Sequence, residues 1–224
     1  LPDIDFSRLA TADPKKLLAT ANAWRVTQSI ASPAVWNKLS HYCQQNACRI
    51  DSLRQVFSCG APVPAELLRR TLELVHPQAE MHTPYGATEC LPVATIESAE
   101  VLTETAAQTD QGAGICVGRL FSSVEGKVIQ ISDDRIESIA DAKELPNGEI
   151  GELVVRGPQA SPKYVPGLSA PKQNPTATSD PNRMAKISDD HTFWHRMGDV
   201  GYLDREQRFW YCGRKSQRVQ TKSG

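Results

Sequence analysis

Residues 53–83, LRQVFSCGAPVPAELLRRTLELVHPQAEMHT, hold two strand-like runs on either side of one helical pattern. Leu53 to Ser58 is typical of a buried strand, and Glu80 to Thr83 is typical of another. Between them, Pro64 to Val75 repeats leucine at the spacing of one helix face, after the turn Gly60-Ala61-Pro62. The stretch therefore predicts a strand, a turn, a helix and a second strand.

The same order occurs just upstream. Trp24 to Ile30 is strand-like, and Ser32 followed by Pro33 offers an N-cap and a first helical residue. Alternating strands and helices within roughly ninety residues indicate parallel pairing through right-handed crossovers. We predict an α/β fold for residues 1–112, a parallel sheet with flanking helices.

Ligands of such sheets collect at the carboxyl ends of the strands. The loops 59–62 and 84–89 would both emerge there. We therefore expect these two loops to line one crevice.

Beyond Gly112 the pattern changes to short β-rich runs. Val124 to Ile131 and Gly151 to Arg156 are such runs, and Val200 to Leu203 with Arg208 to Cys212 predicts a hairpin. We expect a β-rich subdomain over residues 113–213, in the form of a distorted antiparallel β-barrel. Pro158 to Asp190 is rich in Pro, Ser, Thr and Asn, which predicts a long surface excursion, mobile in places.

The composition narrows the classes of protein to which the chain can belong. Its 25 basic residues nearly balance its 26 acidic ones, without a basic run of the kind that binds nucleic acid. We expect no nucleic-acid partner. No apolar run approaches the roughly 18 residues that span a bilayer, and residues 1–3 do not begin a signal peptide. We expect no integral membrane association and a cytoplasmic location.

The six cysteines lack a CxxC pair and a histidine at metal-ligand spacing. This pattern indicates reduced, buried thiols rather than disulfides or a zinc site. The start at Leu1, without Met, and the abrupt end at Gly224 predict a fragment of a longer protein.

The segment 83–89, TPYGATE, has a composition that suits a nucleotide. Tyr85 offers a ring for stacking, and Gly86 allows close backbone approach. Thr88 offers a hydroxyl to a phosphate, and Glu89 offers a hard oxygen ligand to Mg²⁺. Taken alone, such a segment is more often a turn followed by a helix start.

Two further stretches change this interpretation. They are residues 148–158, GEIGELVVRGP, and residues 198–204, GDVGYLD, which lead to Gly213-Arg214. With residues 83–89 they resemble, in order and spacing, the core motifs of the adenylate-forming superfamily of acyl-CoA synthetases, luciferases and peptide-synthetase adenylation domains. The match covers most of the chain and implies an internal part of the large N-terminal domain of this superfamily.

The resemblance implies an adenine site. The segment Gly60, Ala61 and Pro62 matches the family segment that passes along the adenine. Tyr85, with Gly86 beside it, matches the ring that stacks on the base.

The resemblance also implies phosphate and ribose contacts. Thr88 matches the hydroxyl that contacts the α-phosphate, and Glu89 matches the carboxylate that binds Mg²⁺. Asp199 matches the carboxylate that accepts hydrogen bonds from both ribose hydroxyls, and Arg214 matches the basic residue near the ribose. A turn residue and a surface charge are the structural alternatives for Asp199 and Arg214.

A narrower resemblance is to the olefin-biosynthesis branch, whose members close 3-hydroxy fatty acids to β-lactones. It rests on residues 82–93, HTPYGATECLPV, and residues 194–202, WHRMGDVGY. Thr83 and Met197 depart from the Asn and Thr of most relatives and so mark a subgroup. His82 and His195 could contact the acyl group or the leaving phosphate, although a structural role is commoner for a lone histidine.

The resemblance implies ATP, AMP and Mg²⁺ as cofactors, and a fatty acid or 3-hydroxy fatty acid as substrate. The full-length enzyme would form an acyl-AMP and close it to a β-lactone. Alternatively, it would pass the acyl group to CoA as a medium- or long-chain acyl-CoA ligase. Partner enzymes from a lipid or olefin pathway fit either product.

Residues 214–224 match the hinge and the start of the C-terminal domain, with Ser216 where relatives carry a hinge Asp or Lys. The chain contains neither the phosphate loop nor the C-terminal lysine of the family, so we expect the fragment itself to be inactive. A non-catalytic nucleotide-binding module is the alternative of another class. Acyl chain length and oligomeric state stay open.

Overall fold

The computed structural model describes residues 11–165 and 180–219. Residue contacts divide the chain into two compact units. Within the described ranges, the first unit comprises residues 11–85 and 95–111, and the second comprises the rest. Each unit contains its own sheet.

The first unit is built on a parallel sheet of three strands, in the order β1-β2-β3. Gln55 on the central strand lies opposite Gln28 on one side and Glu80 on the other. This arrangement confirms the predicted α/β class. The elements in chain order are α1 (Pro14–Ala23), β1 (Gln28–Ala31), α2 (Pro33–Asn46), β2 (Gln55–Ser58), α3 (Ala65–Leu74), β3 (Glu80–His82), α4 (Ser98–Glu100), a π-helical turn (Val101–Thr105) and α5 (Ala106–Asp110).

The core of this unit lies between the helices α2 and α3 and the sheet. Trp36 and Leu68 are almost fully buried, and the Trp36 indole Nε1 donates to the Phe57 carbonyl oxygen at 3.0 Å. Burial of each such apolar side chain stabilises the fold by about 1.5–3 kcal/mol. The buried cluster comprises Trp36, Leu39, Cys43, Ile50, Leu53, Val56, Leu67, Leu68, Leu74, Val75 and Met81.

The first helix is a feature that the sequence analysis missed. Asp13 caps α1 by accepting a hydrogen bond from the Lys15 backbone N–H at 2.9 Å, and Pro14 is its first residue. Trp24 caps the other end of α1 and is 79% exposed. The strand predicted from Trp24 therefore begins only at Gln28.

The second unit contains an antiparallel sheet in the order β4-β5-β6-β11-β10-β8-β7, with β9 pairing to β10. The long strand β10 pairs with β8 along one edge and with β9 and then β11 along the other. The elements are β4 (Tyr85–Ala87), β5 (Cys90–Thr95), β6 (Ile115–Leu120), β7 (Glu125–Ile129), β8 (Gly151–Arg156), α6 (Pro181–Ala185), β9 (Lys186–Asp189), β10 (Thr192–Leu203) and β11 (Arg208–Arg214), with 3₁₀ turns at Ile139–Asp141 and Lys215–Gln217.

The prediction of a β-rich second part is confirmed, but the barrel is wrong. In the described chain, β4 and β7 stand at opposite ends of the strand order and do not pair with each other. A barrel requires its first and last strands to pair, so this sheet is open.

The predicted surface excursion over Pro158–Asp190 is wrong in its last part. Helix α6 and strand β9 occupy Pro181–Asp189, and Ile187 is fully buried against Trp194. Residues 166–179 of the excursion lie outside the described residues.

A buried carboxylate, Glu152 on β8, is the shared counter-charge of two cations in the second unit. Arg196 on β10 donates to it through Nε at 3.2 Å and Nη2 at 2.6 Å, and the Lys215 Nζ donates at 3.1 Å. Both cations also donate to the carbonyl oxygen of Ser132. Glu152 is 0% exposed. The cluster therefore joins two strands, one loop and the turn after β11.

We expect Glu152→Gln to destabilise the protein by about 3 kcal/mol, because two cations would lose their shared buried counter-charge. Urea unfolding at neutral pH measures this change. Glu149→Gln, at an exposed position in the preceding loop, is the matched control and should change the free energy of unfolding by less than about 0.5 kcal/mol. Equal effects of the two substitutions would contradict the role assigned to the cluster.

Candidate functional site

Asp199 lies where β10 departs from regular pairing. Arg196 pairs with Val154, and the next pair joins Val200 to Glu152, so three residues of β10 oppose one residue of β8. Gly198 within this bulge has φ +65°, a left-handed conformation that glycine adopts without strain. A bulge of this kind redirects the side chains that it carries, and here it carries Asp199.

Asp199 and Arg214 form an ion pair across β10 and β11. The two residues are direct partners in the strand register, and the Asp199 Oδ1 lies 2.8 Å from the Arg214 Nη1. The Asp199 side chain is 3% exposed, whereas that of Arg214 is 48% exposed. The structure thus brings these two predicted site residues together, with the carboxylate buried and the guanidinium reaching solvent.

Thr88 and Glu89 form the turn between β4 and β5 rather than a helix start. Thr88 is exposed and Glu89 is half-buried. Gly86 before them is required by close packing, because a Cβ there would lie 2.6 Å from the Cys90 carbonyl oxygen. The hairpin turn therefore carries a hydroxyl and a carboxylate on two successive residues.

The other predicted residues lie in the first unit. Gly60, Ala61 and Pro62 follow β2 and are exposed. Tyr85, which is the first residue of β4 and the last residue of this segment of the first unit, is half-buried. Because β2 and β3 are neighbouring parallel strands, their loops leave the same edge of the sheet.

Two observations at this edge fit a ligand. Gly60 has φ +91°, and nothing lies within 4 Å of the position that a Cβ would occupy. The hydroxyl of Ser58, at the end of β2, is fully buried and has no hydrogen-bond partner among the described residues. This edge of the sheet thus has open space beside the Gly60 backbone and a buried Ser58 hydroxyl without a hydrogen-bond partner among the described residues.

Residues that the sequence analysis did not single out surround Glu89. The Ser161 backbone N–H donates to the Glu89 carbonyl oxygen at 2.7 Å, and the Lys186 Nζ donates to the Ser161 carbonyl oxygen at 2.6 Å. Burial, the charge of Glu89 and a hydrogen bond to its side chain raise the pKa of Tyr164. Only the strand-like alternation at Lys186–Asp189 could have indicated that this region folds back onto the motif.

His195 is a buried structural group of this cluster. Its Nδ1 lies 3.1 Å from the Lys186 Nζ and 3.2 Å from the Ala185 carbonyl oxygen. Burial, together with the Lys186 charge, lowers the pKa of His195 to about 4. In the neutral imidazole, Nδ1 either accepts from the Lys186 ammonium or donates to the Ala185 carbonyl oxygen, and it cannot do both.

The second candidate histidine, His82, is half-buried at the end of β3. Its ring stacks on Phe57 with the centroids 5.8 Å apart, and its Nε2 lies 3.5 Å from Glu80. The contacts with Phe57 and Glu80 thus explain the position of the His82 side chain.

Glu89 fits the chemistry of Mg²⁺ bound together with a nucleotide. The described part of the chain contains no group of three His, Cys, Asp or Glu side chains that could hold a metal by themselves. Mg²⁺ commonly uses one or two carboxylates, with phosphate and water oxygens as its other ligands. A single carboxylate is therefore sufficient from the protein for Mg²⁺ that arrives with a nucleotide.

The six cysteines are all free thiols, and the prediction that they are buried holds for half of them. Cys43, Cys90 and Cys116 are buried, whereas Cys48 and Cys59 are half-buried and Cys212 is exposed. No helix among the described residues is long and apolar enough to cross a membrane.

Comparison with known proteins provides information on the family of the chain that is independent of the site geometry. The profile of a family described as AMP-binding enzyme matches residues 6–165. An olefin beta-lactone synthetase of Xanthomonas campestris pv. campestris is 40% identical over 225 residues, which cover 100% of this chain and 38% of that protein. The chain thus spans well under half the length of this relative.

Two solved structures share the fold. A long-chain-fatty-acid–CoA ligase of Archaeoglobus fulgidus has a TM-score of 0.64 and 23% identity, over 90% of this chain and 37% of that one. The O-succinylbenzoate coenzyme A synthetase of Bacillus subtilis, in complex with ATP and magnesium ion, has a TM-score of 0.67 and 22% identity, over 95% and 37%.

The buried His195 makes stability depend on pH. Its pKa of about 4 in the folded state lies below the ordinary 6.5 of the unfolded chain, so the unfolded state binds more protons between these values. We expect the free energy of unfolding to fall by up to about 3 kcal/mol as the pH drops from about 6.5 to about 4. Urea unfolding across this range measures the slope.

His195→Gln should remove this part of the slope. His191→Gln, at an exposed position four residues earlier, should retain it. An unchanged slope in His195→Gln would show that other groups cause the pH dependence.

Proposed function

Since the chain belongs to the AMP-binding enzyme family, we propose that it supplies nucleotide contacts to an enzyme that activates a fatty acid with ATP. The observation that carries this proposal is the buried Asp199 carboxylate, placed on a bulge and paired with Arg214 at 2.8 Å. A buried carboxylate paired with a cation that reaches solvent suits a neutral diol such as ribose, because a carboxylate accepts two O–H donors at once.

Each of the remaining predicted residues contacts a part of the nucleotide that suits its chemistry. Tyr85 stacks on the adenine, along which the exposed Gly60-Ala61-Pro62 backbone passes. Thr88 donates its hydroxyl to the α-phosphate. Glu89 would hold Mg²⁺, which, when bound, neutralises charge on the phosphate oxygens.

In the first reaction step, a carboxylate oxygen of the fatty acid attacks the α-phosphorus of ATP. The new O–P bond forms as the bond to pyrophosphate breaks, and the product is an acyl-AMP. The Thr88 hydroxyl contributes by donating to an α-phosphate oxygen as negative charge accumulates there. Asp199 and Arg214 hold the ribose, so that the phosphorus stays in line with the attacking oxygen.

In the second step, we propose that a 3-hydroxyl on the same fatty acid attacks the acyl carbon. The hydroxyl loses its proton, the acyl–phosphate bond breaks, and AMP leaves with the bonding electrons. The ring closes readily because nucleophile and acyl group belong to one molecule. The 40% identity to an olefin beta-lactone synthetase over the whole chain supports this product.

The identity of the product distinguishes the two possible acyl acceptors, which are the 3-hydroxyl of the fatty acid itself and CoA. The full-length protein is incubated with ATP, Mg²⁺ and a long-chain 3-hydroxy acid, with and without CoA, and the products are analysed by mass spectrometry. We expect a CoA-independent product lighter than the acid by one water. A product that forms only with CoA would mean an acyl-CoA ligase, and nucleotide binding without any product would mean a non-catalytic module.

Asp199→Asn tests the ribose contact directly. The amide keeps the size of the side chain but weakens its two accepted hydrogen bonds, so we expect KM for ATP to rise about tenfold to a hundredfold. Steady-state pyrophosphate release by the full-length protein measures this constant. The control is Asp190→Asn, at an exposed position, which should leave KM unchanged. A normal KM in Asp199→Asn would remove the ribose role.

A further inference from the structure

A short segment, residues 159–161, lies against the hairpin turn between β4 and β5, and we call this segment the brace. Ala160 forms an antiparallel β-bridge with Cys90, the first residue of β5. The Ser161 backbone N–H donates to the Glu89 carbonyl oxygen at 2.7 Å. The end of the turn is therefore bound by backbone contacts to a segment that lies far along the chain.

The first residue of the brace, Gln159, ties it to β5 through its side chain. The Gln159 Nε2 donates to the Pro92 carbonyl oxygen at 2.8 Å. The amide also packs closely on the chain before it, since a Cβ at Gly157 would lie 3.0 Å from the Gln159 Oε1. One end of the brace is thus fixed by a side chain that does not belong to the turn.

Lys186, the first residue of β9, fixes the other end of the brace. Its Nζ donates to the Ser161 carbonyl oxygen at 2.6 Å and lies 5.0 Å from the centroid of the Phe193 ring. Lys186 is half-buried and stands opposite His195 in the pairing of β9 with β10. Ser161 is therefore held at both backbone polar groups, and through this one residue Lys186 connects the sheet to the turn.

The turn has little support from its own strands. It carries Thr88, which is exposed, and Glu89, which is half-buried. β4, on one side of the turn, covers only three residues and is the last strand of its sheet. A turn on a short end strand opens at a low free-energy cost. The brace adds a second restraint.

We propose that Gln159 and Lys186 are positioning residues, which hold the turn through the brace so that the Thr88 hydroxyl stays aimed at the α-phosphate. The inference rests on the proposed function, because the role of Thr88 belongs to it. A displacement of about 1 Å at a reacting centre can lower a rate by up to about a hundredfold. The loss should appear mainly in the chemical step, where the Thr88 contact strengthens.

The test is Lys186→Met in the full-length protein, with ATP, Mg²⁺ and the fatty acid all at saturation. We expect the pre-steady-state rate constant of pyrophosphate formation to fall about tenfold. A rate constant, unlike an amplitude, does not depend on the fraction of molecules that are folded, so a purely structural role would not change it. Gln159→Met removes the other contact without a change of charge and should lower the rate constant in the same direction.

A double-mutant cycle shows whether Lys186 acts through Thr88. Thr88→Val alone should lower the rate constant about a hundredfold, because one donor to the α-phosphate is lost. In the double variant Thr88→Val/Lys186→Met the hydroxyl to be positioned is gone, so we expect the loss to stay near a hundredfold. Independent effects would multiply to about a thousandfold and would overturn the proposal.

Lys163→Met is the matched control. It removes a lysine at an exposed position two residues after the brace. It should leave the rate constant unchanged, and a loss equal to that of Lys186→Met would contradict the specific role of Lys186.

Thr88→Val also separates failure of this inference from failure of the proposed function. If Thr88→Val lowers the rate constant but neither Lys186→Met nor Gln159→Met does, the positioning role is wrong and the proposed function stands. If Thr88→Val has no effect, Thr88 does not contact the α-phosphate, and both proposals fail.

Discussion

The ion cluster around Glu152 is the constraint on which the second unit depends. One fully buried carboxylate is paired with both Arg196 and Lys215, and both cations also donate to the Ser132 carbonyl oxygen. Burying charge is costly, so such a cluster stabilises the fold only when every member has its partners. β8, β10, the loop at residue 132 and the turn after β11 must therefore come together at once.

The candidate site lies next to this ion cluster along the chain. Arg196 lies three residues before Asp199 on β10, and Lys215 directly follows Arg214 on the chain. The cluster thus anchors both strands next to the Asp199–Arg214 pair. Between the anchor and the pair, the bulge with Gly198 in a left-handed conformation redirects the carboxylate. Rigid strands on either side of an irregular segment are a common way to place a functional side chain precisely.

Local signals in the sequence were sufficient where an element is defined by its own residues. The helix after Ser32 begins at Pro33, and β8 covers Gly151–Arg156, both as predicted. The prediction was wrong where apolar residues do not face a core. Trp24 is 79% exposed at the end of α1, whereas the sequence predicts a strand that starts at this aromatic residue. The barrel was wrong because closure depends on whether the end strands pair, which no local pattern determines.

By itself, the sequence determined the motifs, their order and the classes of side chain that they offer to a nucleotide. It did not indicate that Tyr164 and Lys186 lie around Glu89, or that Lys215 shares a buried carboxylate with Arg196. These contacts join residues far apart in the chain, and an isolated polar side chain has no periodicity from which its partner can be inferred. Only the tertiary structure, by pairing the strands in one register, decided which polar groups meet.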